Sequence, residues 1–95
     1  MTNSELITII SNLLDVPESD MKSQSRKSHI VEARHLAMYF IKCLNNTTMV
    51  NIGKLLNRDH TTVSYAIERV FNTANKHNPK FNKKFILINN EIGEK

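Results

Sequence analysis

The sequence has 95 residues, a single cysteine, two glycines and a formal net charge of +4. A chain of this length fits one domain, residues 1–95, and a single cysteine excludes the disulfide framework of small secreted proteins. No apolar run approaches the ~18 residues that a membrane-spanning helix needs, and the acidic, amphipathic N-terminus lacks the basic and unbroken apolar regions of a signal peptide, so the sequence predicts a cytoplasmic protein.

The first half of the chain predicts two helices and one short helical turn. Thr2 and Glu5 have the spacing of a capping box, and the helix that follows carries an apolar stripe of Leu6, Ile9, Ile10, Leu13 and Leu14. Val16-Pro17 is predicted to end this helix, because the residue before a proline avoids the helical conformation, and residues 17–21 can form one short turn. Residues 23–28 are polar and predict a loop. A long helix is then expected from about Ser28 to Leu44, carrying Ile30, Ala33, Ala37, Phe40, Ile41 and Leu44.

The second half predicts three more helices. Thr48 can cap a short helix that carries Met49, Ile52, Leu55 and Leu56. Asn57 suits the left-handed conformation of a tight turn, and Asp59 can cap a helix that carries Val63, Ala66, Ile67, Val70 and Ala74. Asn78-Pro79 has the pattern of a helix start, and the last helix carries Phe81, Phe85, Ile88 and Ile92. The predicted fold class is therefore all-α, a small bundle of five main helices and one short helical turn.

A helix-turn-helix is predicted between Thr48 and Val70, where a short helix, a turn of two or three residues and a longer helix follow one another. In that motif the first residues of the second helix enter the major groove of DNA; here these are Asp59, His60, Thr61 and Thr62. A carboxylate can accept from cytosine N4, and threonine can hydrogen-bond a base or touch a thymine methyl. The same residues also suit an ordinary helix start, so the pattern alone leaves both interpretations open.

The charge is unevenly distributed along the chain. Residues 1–21 carry four acidic side chains and no basic one, whereas residues 22–58 carry seven basic side chains against Glu32 alone. The basic excess lies next to the polar cluster of the helix-turn-helix. Such asymmetry indicates a polyanion as partner, although a solvated basic surface would explain the charge equally well.

The sequence does not predict a catalytic or metal site. The histidines, His29, His35, His60 and His77, show no ligand spacing, and Cys43 has no partner cysteine. Cys43 lies in the middle of a predicted helix beside its apolar stripe, where a small core residue is expected. The two glycines cannot form a phosphate-binding loop or a dinucleotide fingerprint. We therefore expect no metal, no cofactor and no enzymatic activity.

The larger apolar residues are most simply core residues. Core positions are predicted for Met21, Met38, Met49, Phe40, Phe71, Phe81 and Phe85, since single-strand binders interleave exposed aromatics with basic residues. Tyr65 and Arg69 follow Thr61 at intervals of four residues on one face of the second helix of the motif. Tyr65 can hydrogen-bond a phosphate, and Arg69 can contact a phosphate or form a surface ion pair.

Two long blocks, SRKSHIVEARHLAMYFIKCL and IGKLLNRDHTTVSYAIERV, resemble the C-terminal DNA-binding domain of the DnaA family of bacterial replication initiators. The motifs AR-x-x-AMY, IG and RDHTTV occur in the family's order and, with one exception, at its spacing. RDHTTV is highly specific in this context. The segment SELITIISNLLDV also resembles the first helix of that domain, so the resemblance covers nearly the whole chain.

The resemblance implies roles for individual residues. Asp59, His60 and Thr61 are expected to read bases in the major groove, and Arg26, in a flexible polar loop, is expected to enter the adjacent minor groove. The expected contacts to the DNA backbone are Lys27, Lys42, Thr48, Arg58, Thr62, Tyr65 and Arg69. Affinity should come mostly from phosphate neutralisation, and specificity from Arg26 and the cluster at residues 59–62.

The sequence also departs from the family. The turn LLNRDH is one residue shorter than the family's usual turn, which has a phenylalanine and two glycines before RDH, and this can tilt the recognition helix. Tyr65 stands where the family often has histidine, and Ser23, Ser25 and Ser28 make the preceding loop less basic. The AAA+ ATPase module of the family is absent from the sequence. The chain is therefore expected to be either a stand-alone domain, such as a phage or mobile-element protein, or the C-terminal part of a longer protein.

The predicted function is sequence-specific binding of double-stranded DNA, at sites like DnaA boxes, in replication initiation or its regulation. The chain is expected to act as a monomer associated with the nucleoid. Two alternatives remain open. One is a helix-turn-helix transcription regulator. The other is a protein-interaction module that docks a replication or host protein through the acidic first helix or the helix at residues 81–92.

Overall fold

The computed structural model describes residues 1–74, 76 and 78–93. Within them the chain forms six α-helices and a final π-helical turn: α1 (Asn3–Leu14), α2 (Glu18–Met21), α3 (Ser28–Asn45), α4 (Met49–Leu56), α5 (His60–Ala74), α6 (Pro79–Ile88) and the turn Asn89–Gly93. This part of the chain contains no strand. The all-α prediction is confirmed, with five main helices and α2 as the short helical turn.

The predicted helix starts are present with their capping side chains. Thr2 Oγ1 accepts from the Glu5 amide at 3.1 Å, and Glu5 Oε1 accepts from the Thr2 amide at 2.7 Å, which completes the capping box of α1. Thr48 and Asn78 cap α4 and α6 in the same manner, each accepting from the amide three residues further on. Each cap satisfies a backbone donor that would otherwise lack a partner, which is worth about 1 kcal/mol.

Three helices end at a residue with positive φ that is not glycine. Asp15, Asn46 and Asn57 have φ angles of 56°, 49° and 59°, and they close α1, α3 and α4. The end of α1 differs in its cause from the prediction. It lies before Val16-Pro17, because the left-handed Asp15 turns the chain and lets the Val16 amide donate to the Ser11 carbonyl at 3.0 Å.

The longest helix, α3, lies at the centre of the bundle and packs against α1, α2, α4 and α5. Each helix contributes at least one buried apolar residue to one core, and the fully buried large side chains are Leu6, Ile10, Met21, Leu36, Met38, Ile41, Ile52, Leu56, Ile88, Val63 and Val70. None of the helices in the described part of the chain has the length and apolarity required to cross a bilayer.

Three predicted core positions were wrong. Residues 43–46 at the end of α3 are all exposed, which leaves Cys43 and Leu44 at the surface. Phe71 is 57% exposed. It follows the buried Val70 by one residue, which rotates it about 100° away from the buried stripe of α5.

Candidate nucleic-acid interface

The predicted helix-turn-helix is formed by α4, residues 57–59 and α5. In the turn, the Gly53 carbonyl accepts hydrogen bonds from the backbone amides of both Asn57 and Arg58, the second at 2.8 Å. Asn57 takes the left-handed conformation that was predicted for it. The short turn therefore closes with the hydrogen bonds of a Schellman-type helix end, and α5 begins at His60.

The first turn of α5 combines a cap with exposed polar groups. Asp59 Oδ1 accepts from the Thr62 amide at 2.8 Å, which confirms Asp59 as the cap of α5. This hydrogen bond, followed by one from the Thr62 side chain, lowers the pKa of Asp59 below its ordinary value. Asp59, His60 and Thr61 are exposed, and Thr62 is half-buried. Because a carboxylate offers about four acceptor positions, the capping role of Asp59 is compatible with a contact to a base.

The loop that carries Arg26 is held by its serines. Ser23 Oγ donates to the Asp20 carbonyl at 2.6 Å and accepts from the Ser25 amide at 3.1 Å. Ser25 Oγ in turn accepts from the Lys27 amide at 3.3 Å. Arg26 itself is exposed. The sequence predicted a flexible loop, but its small hydroxyl side chains bond the local backbone and fix its path.

Two arginines from different elements bond backbone carbonyls of this loop and of the end of α2 that precedes it. Arg34 of α3 donates from Nε to Met21 O at 2.7 Å and from Nη2 to Ser25 O at 3.1 Å and Ser23 O at 3.2 Å. Arg58 of the turn donates from Nη2 to the same Ser23 carbonyl at 2.6 Å. The Arg26 loop is thereby joined to both α3 and the helix-turn-helix.

A cleft of about 450 Å³, which we call the recognition cleft, separates the Arg26 loop from the start of α5. Arg26 and Ser25 line one side of it, and Arg58, Asp59 and Thr62 line the other. The structure thus brings Arg26 into one concave surface with Asp59, although 33 positions separate the two residues in the sequence. Three of the predicted DNA-contacting residues face Arg26 across this cleft.

Arg26 also borders a second concavity of about 330 Å³, whose lining includes His35, Arg69, Thr73, Asn78 and Phe81. Arg69 lies on α5 two turns after Thr61, and its Nη1 donates to the Tyr65 hydroxyl at 3.4 Å. Both side chains are exposed. Arg69, Tyr65 and Arg26 are therefore exposed polar groups around the recognition helix, as the sequence predicted.

The remaining predicted backbone contacts lie outside these two concavities. Lys27 is exposed and immediately precedes α3. Lys42 is half-buried in the last turn of α3 and donates to Asn46 Oδ1 at 3.3 Å. It lies roughly 20 Å along the helix axis from the start of α3. Thr48 uses its hydroxyl to cap α4, accepting from the Asn51 amide at 3.2 Å.

Positive charge is concentrated behind the recognition cleft. His35 is half-buried on α3, and burial, reinforced by the cations Arg34, Arg69 and Arg58, lowers its pKa to about 4. Glu32, which forms an ion pair with Lys84 at 2.5 Å, opposes this effect but does not outweigh it. Such a field favours a negatively charged partner.

The sequence indicated no role for Arg34. The structure buries this residue, where it bonds the carbonyls that hold the Arg26 loop. One signal was available. Arg34 follows Ile30 by four residues and precedes Ala37 by three, so a charged residue occupies the buried stripe of a helix. A buried arginine requires several acceptors, but the sequence does not show that these are carbonyls of the preceding loop.

The structure brings together no group of three or more His, Cys, Asp or Glu side chains that could hold a metal, as far as the described residues extend. Of the histidines considered for such a site, His29, His35 and His60 are described, and His77 lies outside the described residues.

Comparison with known proteins matches residues 4–70 to the family described as the bacterial dnaA protein helix-turn-helix. Several curated relatives are chromosomal replication initiator proteins DnaA. The one from Ureaplasma parvum serovar 3 is 42% identical over 67 residues, which cover 70% of this chain and 15% of the relative. The one from Campylobacter concisus is 36% identical over 88 residues, covering 92% of this chain and 20% of the relative. The chain thus spans about a fifth or less of the length of these relatives.

Proposed function

The chain belongs to the bacterial DnaA helix-turn-helix family, and from this premise we propose that it binds double-stranded DNA in a sequence-specific manner. The proposed sites are sequences like DnaA boxes, and the proposed role is replication initiation or its regulation. The relatives are named as chromosomal replication initiators, which supports this role. A protein with this function would work at the nucleoid.

The observation that supports the proposal most is the recognition cleft. It has an exposed arginine on one side and the polar N-terminus of α5 on the other. In B-DNA a phosphate strand separates each major groove from the adjacent minor groove. A protein that inserts a helix into one groove and an arginine arm into the next therefore needs a concavity for that strand. The recognition cleft supports the proposal, because it provides a concavity of about 450 Å³ lined by both groups.

The roles follow from the exposed chemistry. Asp59, His60 and Thr61 would contact base edges in the major groove, and Arg26 would enter the minor groove. The backbone contacts would come from Lys27, Lys42, Thr48, Arg58, Thr62, Tyr65 and Arg69. Arg58 would also hold the Arg26 loop in place, because its Nη1 and Nη2 already donate to Asn57 O at 2.8 Å and Ser23 O at 2.6 Å.

The protein-interaction alternative has weaker support. Of the two helices considered for docking, α1 and the helix at residues 81–92, the second buries Phe81, Ile88 and Ile92 in the core. Only Ile86 and Leu87 among the apolar residues of this second helix are exposed, at 55% and 44%, and the apolar residues of α1 are buried or half-buried. A transcription regulator would use the same DNA interface and would differ in the position of its sites on a genome.

Selection of duplexes from a random library, followed by anisotropy titration at several salt concentrations, tests the proposal. We expect enrichment of one short sequence and an affinity for it at least 10³-fold above that for random duplex. Affinity should fall steeply with salt, because phosphate contacts release counterions. Absence of any enriched sequence would overturn the proposal, and retention by an immobilised host protein without DNA binding would favour the interaction module.

A further inference from the structure

Arg34 is a buried cation that bonds the loop in front of it. Its side chain is 4% exposed, and its acceptors are the backbone carbonyls of Asp20, Met21, Ser23 and Ser25, at 2.7–3.4 Å. No carboxylate is among these partners. The guanidinium therefore serves as a branched hydrogen-bond donor that spans the loop, a geometry for which the point charge of lysine is a poor substitute.

The position of these carbonyls links Arg34 to Arg26. The Ser25 carbonyl belongs to the peptide unit that joins Ser25 to Arg26, so the bond from Arg34 fixes the orientation of the backbone from which the Arg26 side chain projects. The Ser23 carbonyl, two residues earlier, accepts from Arg34 at 3.2 Å and from Arg58 at 2.6 Å. One oxygen thus joins the Arg26 loop to α3 and to the turn before α5.

We infer that Arg34 and Arg58 form a clamp that positions Arg26 relative to the first turn of α5. Arg34 is then a positioning residue for DNA recognition. The inference rests on the proposed function. Arg34 also lines the recognition cleft, but its side chain is only 4% exposed and its Nε and Nη2 already donate to four carbonyls. The inference therefore assigns to Arg34 an effect on sequence preference that is transmitted through Arg26.

A double-mutant cycle measures this transmission. The four proteins are the parent, Arg34→Lys, Arg26→Ala and the double variant, each titrated with a duplex selected by the parent and with a scrambled duplex. Every titration is run at several salt concentrations and well below the melting temperature of that variant. Lys83→Ala is the matched control for altering a basic residue, since Lys83 is exposed on α6 and has no place in the proposed interface.

The expected result is strong non-additivity. Arg34→Lys alone should weaken binding to the selected duplex by roughly 5- to 150-fold, the range for losing one base-reading contact, with a much smaller effect on the scrambled duplex. In the Arg26→Ala background the same change should cost less than about twofold. If Arg34 affects stability alone, Arg34→Lys would lower the melting temperature in the parent and in the Arg26→Ala background. Its effect on binding would then be the same in the two backgrounds.

Other outcomes overturn the inference. Equal losses in both backgrounds would make Arg34 an independent contact, and an equally large loss on the scrambled duplex would identify that contact as one to phosphate. If Arg34→Lys does not fold, the same cycle is run with Arg58→Lys. Because Arg58 is itself a proposed phosphate contact, the quantity compared is then the ratio of affinities for the selected and scrambled duplexes. A ratio that Arg58→Lys leaves unchanged also overturns the inference. A parent that binds selected and scrambled duplexes equally would overturn the proposed function and this inference together, whereas a discriminating parent with additive losses overturns the inference alone.

Discussion

The backbone carbonyl of Arg58 fills the space that a side chain on Gly53 would need. A β-carbon built on Gly53 would overlap that oxygen and lie 3.2 Å from the carbonyl carbon of Arg58 and 3.5 Å from Cγ2 of Val63. The Gly53 carbonyl also accepts the Arg58 amide at 2.8 Å. The shortened turn between α4 and α5 therefore depends on the absence of a side chain at residue 53.

Gly53→Ala is expected to destabilise the fold by roughly 1–3 kcal/mol, the usual cost of overpacking a buried site. The overlap is with backbone, so rotation of a flexible side chain cannot relieve it. Urea unfolding measures the change, with Asn51→Ala as control because Asn51 is exposed on the same helix. If the urea midpoint of Gly53→Ala lies as close to that of the parent as the midpoint of Asn51→Ala does, the turn can move to make room for the methyl group.

Asp59→Asn separates capping from base recognition. Asparagine caps about as well as aspartate, so the melting temperature should barely change. The substitution removes a charge and adds a donor, so base preference at the facing position should change by roughly 1–3 kcal/mol. Selection profiles and melting curves are the measurements, and Glu68→Gln on the same helix is the charge-matched control. A lower melting temperature with an unchanged selected sequence would mean that Asp59 stabilises the fold and does not contact a base.

Arg26→Lys keeps the charge and loses the planar, forked donor group. We expect a weaker preference for A·T pairs at one end of the selected site and little change in binding to random duplex. Lys27→Ala, at the adjacent position, should instead weaken binding to the selected and the random duplex by the same factor. Competition titrations with site variants distinguish the two patterns, and a uniform loss for Arg26→Lys would indicate a plain phosphate contact.

Lys42→Ala tests whether the interface extends along α3. Loss of one phosphate contact should reduce the salt slope of binding by roughly one unit for selected and random duplexes alike. Stability should fall by no more than about 0.3–1 kcal/mol, from loss of a cation at the end of a helix. Lys83→Ala provides the comparison at a position outside the proposed interface. An unchanged slope would place Lys42 outside the contact surface.

His35 should make stability depend on pH. Its pKa is lowered from 6.5 to about 4 in the folded protein, so the unfolded chain binds the proton more readily. The contribution of neutral His35 is therefore complete above about pH 6.5 and is lost as pH falls toward 4. In urea unfolding, the free energy of unfolding of His35→Gln should fall less across this interval than that of the parent. The control is His29→Gln, at an exposed position, whose free energy of unfolding should fall as much as that of the parent. Parallel curves for His35→Gln and parent would contradict the assignment.

Local chemistry made most of the fold predictable. Capping by Thr2, Thr48 and Asn78 and the left-handed Asn57 depend on residues within a few positions, and each was found as expected. The candidate interface was predictable only in part, because the AR-x-x-AMY motif gives the position of Arg34 and not its partners. Those partners come from the end of α2 and the loop after it, 9–14 residues away, and their proximity depends on how α2 and α3 pack.

Burial was less predictable at the edges of the bundle. An apolar stripe gives the face of a helix that turns inward, but it does not show where the neighbouring helices end. Leu44 continues the stripe of α3 and is nevertheless 42% exposed, since it lies in the last turn. Phe71 is a different case. It lies outside the stripe of α5, and its core position was predicted from its residue type and not from helical spacing.

The exposed Cys43 makes the chain suitable for site-specific labelling. It is the single cysteine of the sequence, and it lies next to Lys42 in the last turn of α3. A thiol-reactive fluorophore or spin label would attach at this one position without any substitution in the protein. Distances from that label to probes placed along a duplex would then give the orientation of α3 on DNA, and so the direction in which the recognition helix crosses the groove.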